Sequence, residues 1–333
     1  MMLVLGAGGF IGTELLRAAA ERGHDQVHGL VRSNEPTDTY GAQIHRGDAR
    51  HSNLGLEPDA VDALRSEVTS VLISLGSVEF GATTDRIVAN HVLPVRGALE
   101  FARSCRQLET VVLVSSIVAP GRVDHRVQSS SLPPRPRHHN FYEWGKYTTE
   151  VMARRSGLPV TVVRPGHVMN ASDGSTKVTP APLAFFEMLP ALLAGAPYPT
   201  DTAMRYWSAP VDFVAQVVVA AAEEPGRGSS WAIDPASPTL GDMLDLLAAR
   251  HGIRPRRLPP LKPLEWIANA VAPRATGYKL PLGVVPYLGA QWDLDFACQD
   301  GLCDRRSVPR PPNRDYVVES LDQELQRLGS VLS

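Results

Sequence analysis

The stretch Gly6-Ala7-Gly8-Gly9-Phe10-Ile11-Gly12 decides the fold of this chain. It directly follows the apolar run Leu3–Leu5 and opens an amphipathic pattern that extends to Arg22. In such a turn the first glycine allows a tight bend, the middle ones let backbone N–H groups approach a pyrophosphate, and the last permits close helix–strand packing. The N-terminus of the helix then faces the anion. We therefore predict a dinucleotide site that contacts Gly6, Gly8, Gly9, Phe10, Ile11 and Gly12.

Short apolar runs alternate with amphipathic stretches through the first half of the chain. This alternation predicts a doubly wound parallel sheet of the Rossmann type, with helices on both faces. The expected strands are Leu3–Leu5, Val27–Val31, Gln43–His45, Val71–Leu75, Val111–Val114 and Val160–Val163. The expected helices are Gly9–Arg22, Pro58–Val68, Ile87–Arg106 and Tyr142–Arg155.

The pattern changes after Val168, where proline-rich connections alternate with weaker helical signals. We expect residues 1–168 to form the dinucleotide-binding domain, and residues 205–235 to return to it through a helix at Val211–Ala222. Residues 169–333 are expected to form a smaller, mostly helical substrate-binding lobe. Its other predicted helices are Leu183–Leu193, Thr239–Arg250 and Leu264–Val271.

Composition excludes several classes of function. Of the 333 residues, 44% are hydrophobic and 20% charged, which is enough to bury a core and argues against disorder. The net charge of −2 gives no general attraction to nucleic acid. Three cysteines provide neither a disulfide framework nor the paired spacing of a zinc site, so we expect no metal and a reducing, cytoplasmic location. We expect no membrane span, because no apolar run is long enough. We expect no cleavable signal, because Met1–Leu5 have no basic region before them and run straight into glycines.

The end of the second strand bears on the choice of dinucleotide. NAD-binding domains usually place a carboxylate there for the ribose hydroxyls. This chain has Arg32-Ser33 instead, and an arginine fork can pair with a 2′-phosphate. NADP(H) is therefore preferred, NAD(H) stays open, and a solvated surface arginine is the alternative interpretation. Asp48, followed by Ala49, is a candidate for the adenine end or a loop cap.

Tyr142 and Lys146 lie four residues apart on a predicted helix and therefore share a face. A lysine ammonium near a phenol favours the phenolate, so we expect Lys146 to lower the pKa of Tyr142 and permit proton exchange. Ser115-Ser116 closes the fifth strand, at the sheet edge where ligands bind. A serine hydroxyl there can orient a substrate oxygen, or it can bond to local backbone.

These residues together resemble the extended short-chain dehydrogenase/reductase family, over about residues 1–235 of the chain. The resemblance implies that Ser116, 26 residues before Tyr142, is the catalytic serine rather than Ser115. It also implies that Asn90 supports the active site and that Lys146 holds the cofactor ribose. The further cofactor contacts that it implies are Leu75, Gly76, Pro165, His167 and Val168.

A narrower resemblance is carried by Gly47-Asp48, Asn53-Leu54-Gly55-Leu56 and Val78-Glu79-Phe80. These stretches are similar to the thioester reductase and male-sterility (fatty acyl-CoA reductase) branch, whose members use NADPH to reduce an acyl thioester to an aldehyde or alcohol. The chain departs from that branch where Leu75-Gly76 replaces Ala-Ala and where Gly145 replaces the serine before the lysine.

The expected function is thus an NADP-dependent oxidoreductase that reduces a carbonyl through Ser116, Tyr142 and Lys146. An acyl thioester on coenzyme A or a carrier protein ranks first as substrate. The alternatives are a ketoreductase or 3-hydroxy dehydrogenase acting on a small molecule, a nucleotide-sugar epimerase or dehydratase, and a non-catalytic NADP-binding sensor. We expect no nucleic-acid partner, and a homodimer is compatible with the sequence.

Overall fold

The structure is a computed structural model that describes residues 1–121, 127–175, 203–224, 226, 228–252, 292–312 and 314–332. Its strands are β1 (Met2–Leu5), β2 (Val27–Val31), β3 (Gln43–Arg46), β4 (Ser70–Ile73), β5 (Thr110–Val114), β6 (Val127–Gln128), β7 (Val160–Pro165), β8 (His167–Met169), β9 (Ser208–Pro210), β10 (Gly228–Ala232) and β11 (Leu294–Asp295). Its helices are α1 (Phe10–Glu21), α2 (Pro58–Glu67), α3 (Thr84–Ile87), α4 (Leu93–Ser104), α5 (Phe141–Arg155), α6 (Val211–Ala222), α7 (Leu240–His251), α8 (Ala297–Arg305) and α9 (Asp315–Leu332).

Seven strands form the main sheet in the order β3-β2-β1-β4-β5-β7-β10, and every pairing is parallel. This confirms the doubly wound parallel sheet. The winding reverses between β1 and β4, and ligands in such sheets bind outside the carboxyl ends of the strands at that point. The glycine turn after β1 lies at this position.

Both faces of the sheet are covered, which explains why β5 is buried along its whole length. Helices α1 and α6 cover one face through residues such as Leu15 and Val218. Helices α2 and α4 cover the other through residues such as Leu64 and Phe101. The rigid carboxyl edge of this two-sided core holds the candidate site.

The C-terminal half also contributes to the sheet. Strand β10 pairs with β7, and α6 packs against α1. Helix α8 packs on β10 and α6, where Leu302 and Cys303 join the same core as α1. The helices expected at Leu183–Leu193 and Leu264–Val271 lie outside the described residues. Where the structure describes the chain, it contains no helix with the length and apolar character needed to cross a bilayer.

The stretch expected to be one helix, Ile87–Arg106, is divided in the structure. Helices α3 and α4 are joined by a π-helical turn at Val88–Val92. Pro94 has no N–H to donate to the carbonyl of Asn90 four residues back, and the N–H of Leu93 bonds to the carbonyl of Val88, five residues back. Such single π turns are frequent at functional sites.

Candidate active site

Three glycines of the turn after β1 lie in close contact with other parts of the backbone, and the fourth, Gly9, faces open space. Gly6 has φ +89°, and a Cβ added to Gly12 would lie 2.0 Å from the Gly6 carbonyl oxygen. A Cβ on Gly8 would lie 1.8 Å from the oxygen of Asn34. Gly9 is exposed, and its Cβ would meet only the Gly6 oxygen at 3.2 Å. Gly6, Gly8 and Gly12 are therefore required by the backbone, whereas Gly9 leaves the surface open to a ligand.

A cleft of about 430 Å³ opens above this turn. The predicted cofactor and site residues that line it are Gly6, Gly8, Gly9, Arg32, Ser33, Asp48, Ala49, Leu75, Gly76 and Asn90. Phe10, Ile11 and Gly12 do not line it, because the chain there has already turned into α1. Sequence reasoning missed a group of strand-end, loop and helix residues in the lining, which are Leu30, Val31, Asn34, Gly47, Ser74, Ser77, Glu79, Arg86 and Pro94.

Arg32 and Asp48 stand at the same end of this cleft. Arg32 is exposed. Asp48 accepts hydrogen bonds from the backbone N–H of Arg50 at 2.9 Å and from its Nε at 2.8 Å. The Arg50 side chain lowers the pKa of Asp48, and the charge of Arg32 adds a smaller effect in the same direction. Asp48 therefore caps its own loop while facing the cleft.

The two serines after β5 have separate partners. Ser115 Oγ donates to Glu150 Oε1 at 2.6 Å, and Glu150 forms a fully buried ion pair with Arg164 at 2.7 Å. The Ser116 hydroxyl instead accepts from the backbone N–H of Val118 at 3.4 Å and lies beside Tyr142, where it acts to lower the pKa of the phenol. The structure therefore brings Ser116 and Tyr142 together and engages Ser115 in a buried network beside them.

Lys146 lies on the same helix face as Tyr142. Its Nζ is 6.0 Å from the centroid of the Tyr142 ring and donates to the carbonyl oxygen of Val114 at 3.4 Å. Burial lowers the pKa of Lys146 to about 8, although the charge of Glu150 acts in the opposite direction. An ammonium is therefore still the dominant form of Lys146 at neutral pH.

The expected lowering of the Tyr142 pKa is wrong for the protein without ligand. Burial raises the pKa of Tyr142 to about 12, and the Ser116 hydroxyl offsets this only partly. Spacing along a helix revealed the proximity of Lys146 but could not reveal that the phenol is desolvated, which disfavours its charged form. The phenol of Tyr142 is therefore protonated at neutral pH.

Two aromatic side chains pack edge-on against Tyr142. Phe80, from the chain between β4 and α3, has its ring centroid 5.4 Å away at an interplanar angle of 75°. His91, from the π turn, is 1% exposed, and within the described residues its ring nitrogens make no hydrogen bond of good geometry. Burial, followed by the charge of Lys146, lowers the pKa of His91 to about 3, with the Ser77 backbone acting weakly in the opposite direction. Sequence reasoning missed His91.

The expected cofactor contacts Pro165, His167 and Val168, at the end of β7 and in β8, lie outside the lining of the glycine cleft. The carbonyl oxygen of Pro165 accepts from the N–H of Ile117, just beyond Ser116, at 2.8 Å. His167 stacks on Tyr206 with ring centroids 4.1 Å apart, and burial lowers its pKa to about 4. Val168 packs against the core beneath α6. Their contact with a cofactor stays a prediction.

Comparison with known proteins agrees with this geometry. The family model described as male sterility protein matches residues 4–218. The terminal R domain from the myxalamid PKS-NRPS biosynthetic pathway has a TM-score of 0.78 at 21% identity, covering 98% of this chain and 90% of that chain. A thiolation-reductase di-domain from an archaeal non-ribosomal peptide synthetase has a TM-score of 0.75 at 16% identity, covering 99% of this chain and 75% of that one.

A third similar structure is the UDP-glucuronic acid 4-epimerase from Bacillus cereus in complex with NAD, with a TM-score of 0.67, 16% identity and 98% coverage of both chains. A search of curated proteins gave no match. The structural similarities establish the shared fold, and the family match covers well over half of the chain. The chain therefore belongs to the male sterility protein family, within the extended short-chain dehydrogenase/reductase superfamily of NAD(P)-dependent enzymes.

Proposed function

We propose that this enzyme uses NADPH to reduce a carbonyl group presented as an acyl thioester. The observation that carries the proposal is the placement of Ser116 and Lys146 beside the Tyr142 phenol, with Lys146 Nζ 6.0 Å from the centroid of its ring. This set lies at the carboxyl edge of the same sheet whose β1 turn forms the glycine cleft. A proton donor and a dinucleotide site at one edge are the two requirements of carbonyl reduction.

The residues of the cleft fit a dinucleotide. The open face of Gly9 lets a pyrophosphate approach the N-terminus of α1. The exposed Arg32 would pair with the 2′-phosphate of NADP, because a guanidinium matches a phosphate with two parallel hydrogen bonds. Asn90 and Gly76 line the wall toward Tyr142. When bound, the reduced nicotinamide supplies a hydride to the carbonyl carbon.

The residues of the protein then supply the proton and the orientation. Tyr142 is protonated at neutral pH because burial raises its pKa to about 12, so it can donate to the substrate oxygen as negative charge develops there. Ser116 lies beside Tyr142 and offers a second hydrogen-bonding group for that oxygen. The ammonium of Lys146 stabilises the phenolate that remains and, by family resemblance, holds the cofactor ribose. Asn90 would support this arrangement from the π turn.

A thioester ranks first as substrate for two reasons. The motifs at residues 47–56 and 78–80 resemble the thioester reductase and male-sterility branch, and Phe80 of that second motif packs directly on Tyr142. One similar structure also joins a reductase to a thiolation domain, which supports a carrier-bound acyl group. The second candidate is epimerisation of a nucleotide sugar, favoured by the similarity to an epimerase that was crystallised with NAD. Reduction of a free ketone is the third.

The test is NADPH oxidation measured in parallel with acyl-coenzyme A thioesters, acylated carrier proteins, ketones and nucleotide sugars. The proposal predicts NADPH consumption with a thioester and release of the free thiol together with an aldehyde or alcohol. Turnover of ketones alone would move the assignment to ketone reduction. Conversion of a nucleotide sugar without net NADPH consumption would establish the epimerase instead.

A further inference from the structure

An ion pair that no part of the proposed function uses lies on the wall of the cleft. Arg86 Nε is 2.5 Å from Glu79 Oε2, and the Ser77 hydroxyl donates to Glu79 Oε1 at 2.7 Å. All three side chains belong to residues that line the same cleft as the glycine turn. Both oxygens of the carboxylate are thus engaged, one by a guanidinium and one by a hydroxyl.

The position of Arg86 follows from the helices on that wall. Arg86, Asn90 and Pro94 all line the cleft at intervals of four residues, and together they form one stripe along it. Asn90 stands in its middle, one helical turn from Arg86.

Contacts of neighbouring residues orient this stripe. Beyond Pro94, α4 packs on the loop of Ala49, because a Cβ added to Gly97 would lie 2.2 Å from the Ala49 oxygen. At the other end, a Cβ added to Gly145 of α5 would lie 2.5 Å from Ile87 Cγ2. Arg86, next to Ile87, therefore lies on a helix that contacts α5, the helix of Tyr142 and Lys146.

The charges of the cleft indicate that the Arg86 guanidinium can exchange its partner. Its described lining contains two cations, Arg32 and Arg86, and two anions, Asp48 and Glu79. Asp48 is neutralised by Arg50, and Arg86 is neutralised by Glu79. The Arg86 side chain is nevertheless 63% exposed, and exposed ion pairs contribute only about 0–1 kcal/mol. A phosphate, which offers more negative charge and bidentate geometry, can compete for this guanidinium.

We propose that Arg86 exchanges Glu79 for a phosphate group when the cleft is filled. This inference rests on the proposed function, because that function brings phosphate-bearing ligands to the cleft. The phosphate belongs either to the dinucleotide or to a coenzyme A-type substrate that enters from the Tyr142 side. Glu79 stays hydrogen-bonded to Ser77 and acts as the competitor that the phosphate must displace.

The test compares Arg86→Gln with Glu79→Gln by calorimetric titration with NADPH and, separately, with coenzyme A. Loss of the guanidinium should weaken binding by about tenfold, the scale of one charge-assisted hydrogen bond. Loss of the competing carboxylate should strengthen binding a few-fold, and both effects should shrink as salt screens the charges. Arg96→Gln is the matched control, because Arg96 is an exposed arginine of α4 that pairs with Glu100 and does not line the cleft.

The opposite signs of the two substitutions distinguish ligand exchange from a merely structural ion pair, whose loss would act alike in both variants. If the two substitutions change the affinity for NADPH in opposite directions, the dinucleotide is the source of the phosphate. If they do so only for coenzyme A, the substrate is the source. If the wild type binds NADPH but the two substitutions change the affinity for each ligand equally, or not at all, the exchange is overturned and the proposed function stays intact. A wild type that binds neither ligand overturns both.

Discussion

The imidazole of His91 lies edge-on against the ring of Tyr142, with centroids 5.5 Å apart and planes at 82°. Gly76 gives it room, because a Cβ there would lie 2.6 Å from His91 Nδ1. A Cβ on Gly145 would instead lie 2.5 Å from Ile87 Cγ2. Gly76 and Gly145 are the positions where the chain departs from the alanine and serine of the thioester reductase pattern. We interpret the first departure as accommodating the buried imidazole and the second as accommodating Ile87.

His91 should make the protein sensitive to acid. Its folded-state pKa of about 3 lies below the ordinary value of 6.5, so the unfolded chain binds the proton first as the pH falls. Stability present at neutral pH is therefore lost progressively between about pH 6.5 and about pH 3, and the loss reaches about 2 kcal/mol near pH 5. The measurement is the free energy of unfolding in urea near pH 7 and near pH 5. Wild type should lose about 2 kcal/mol more than His91→Phe; equal losses would show that His91 is not held neutral.

The ion pair between Arg164 and Glu150 should dominate the local stability behind the site. Both side chains are fully buried, so Arg164→Met leaves the Glu150 carboxylate with only the Ser115 hydroxyl and the more distant Arg154, 3.7 Å away, and should cost about 3 kcal/mol in the free energy of unfolding. Arg305→Met is the control, because Arg305 is 62% exposed in its pair with Glu224 and its loss should cost about 0–1 kcal/mol. Similar losses for the two variants, measured by urea unfolding, would contradict the buried network.

Sequence reasoning predicted the features that have a strong local signature. The β1 turn, six of the seven strands of the main sheet and the helix of Tyr142 follow from glycine spacing and from apolar periodicity. The wall formed by Ser74, Ser77, Glu79 and Arg86 was not predicted, because Ser74, Ser77 and Arg86 carry no motif and Glu79 occupies the variable position of the Val-x-Phe motif.

Other features depend on packing between distant parts of the chain. Pro94 explains the π turn, but the direction in which the His91 side chain points depends on how this helix packs in the folded chain. The direction of the Tyr142 pKa shift was wrong because desolvation depends on Phe80, His91 and the rest of the assembled core. Strands β8, β9 and β11 have two or three residues each, too few for periodicity to identify.

Arg32 should determine the choice of dinucleotide. The wild type should bind NADPH more tightly than NADH, because the exposed guanidinium can pair with the 2′-phosphate. Arg32→Asp should reverse this order by removing the pair and adding repulsion. Arg46→Asp is the control, since Arg46 is an exposed arginine on β3 that pairs with Glu35 and does not line the cleft. Calorimetric titration of both variants with NADPH and NADH is the measurement. Equal wild-type affinities for the two dinucleotides would show that Arg32 does not select NADPH.

Gly9 and Gly12 should differ in what their loss disrupts. Gly9→Val projects an added side chain into the cleft, with only the Gly6 oxygen nearby at 3.2 Å, so the fold should persist and NADPH binding should be lost. Gly12→Val places a Cβ 2.0 Å from the Gly6 oxygen, so the fold itself should be destabilised. Thermal unfolding and NADPH titration separate the two effects. Normal NADPH binding by the Gly9 variant would place the dinucleotide elsewhere.

The role of Tyr142 as proton donor is the central claim. Tyr142→Phe removes one hydroxyl and keeps the ring, so its packing on Phe80 and His91 and its NADPH affinity should change little. Lys146→Met should also lower turnover, but it should weaken NADPH binding as well through the lost ribose contact. A merely structural pair would instead lose stability in both variants without this difference.

The most direct measurement is steady-state turnover of Tyr142→Phe with the thioester that the wild type reduces, alongside its NADPH affinity. The account predicts that kcat falls by about 10²–10⁴, the scale of a positioned general acid. KM should change much less, because the lost interaction belongs to the transition state. A Tyr142→Phe enzyme that retains near wild-type turnover would contradict the mechanism.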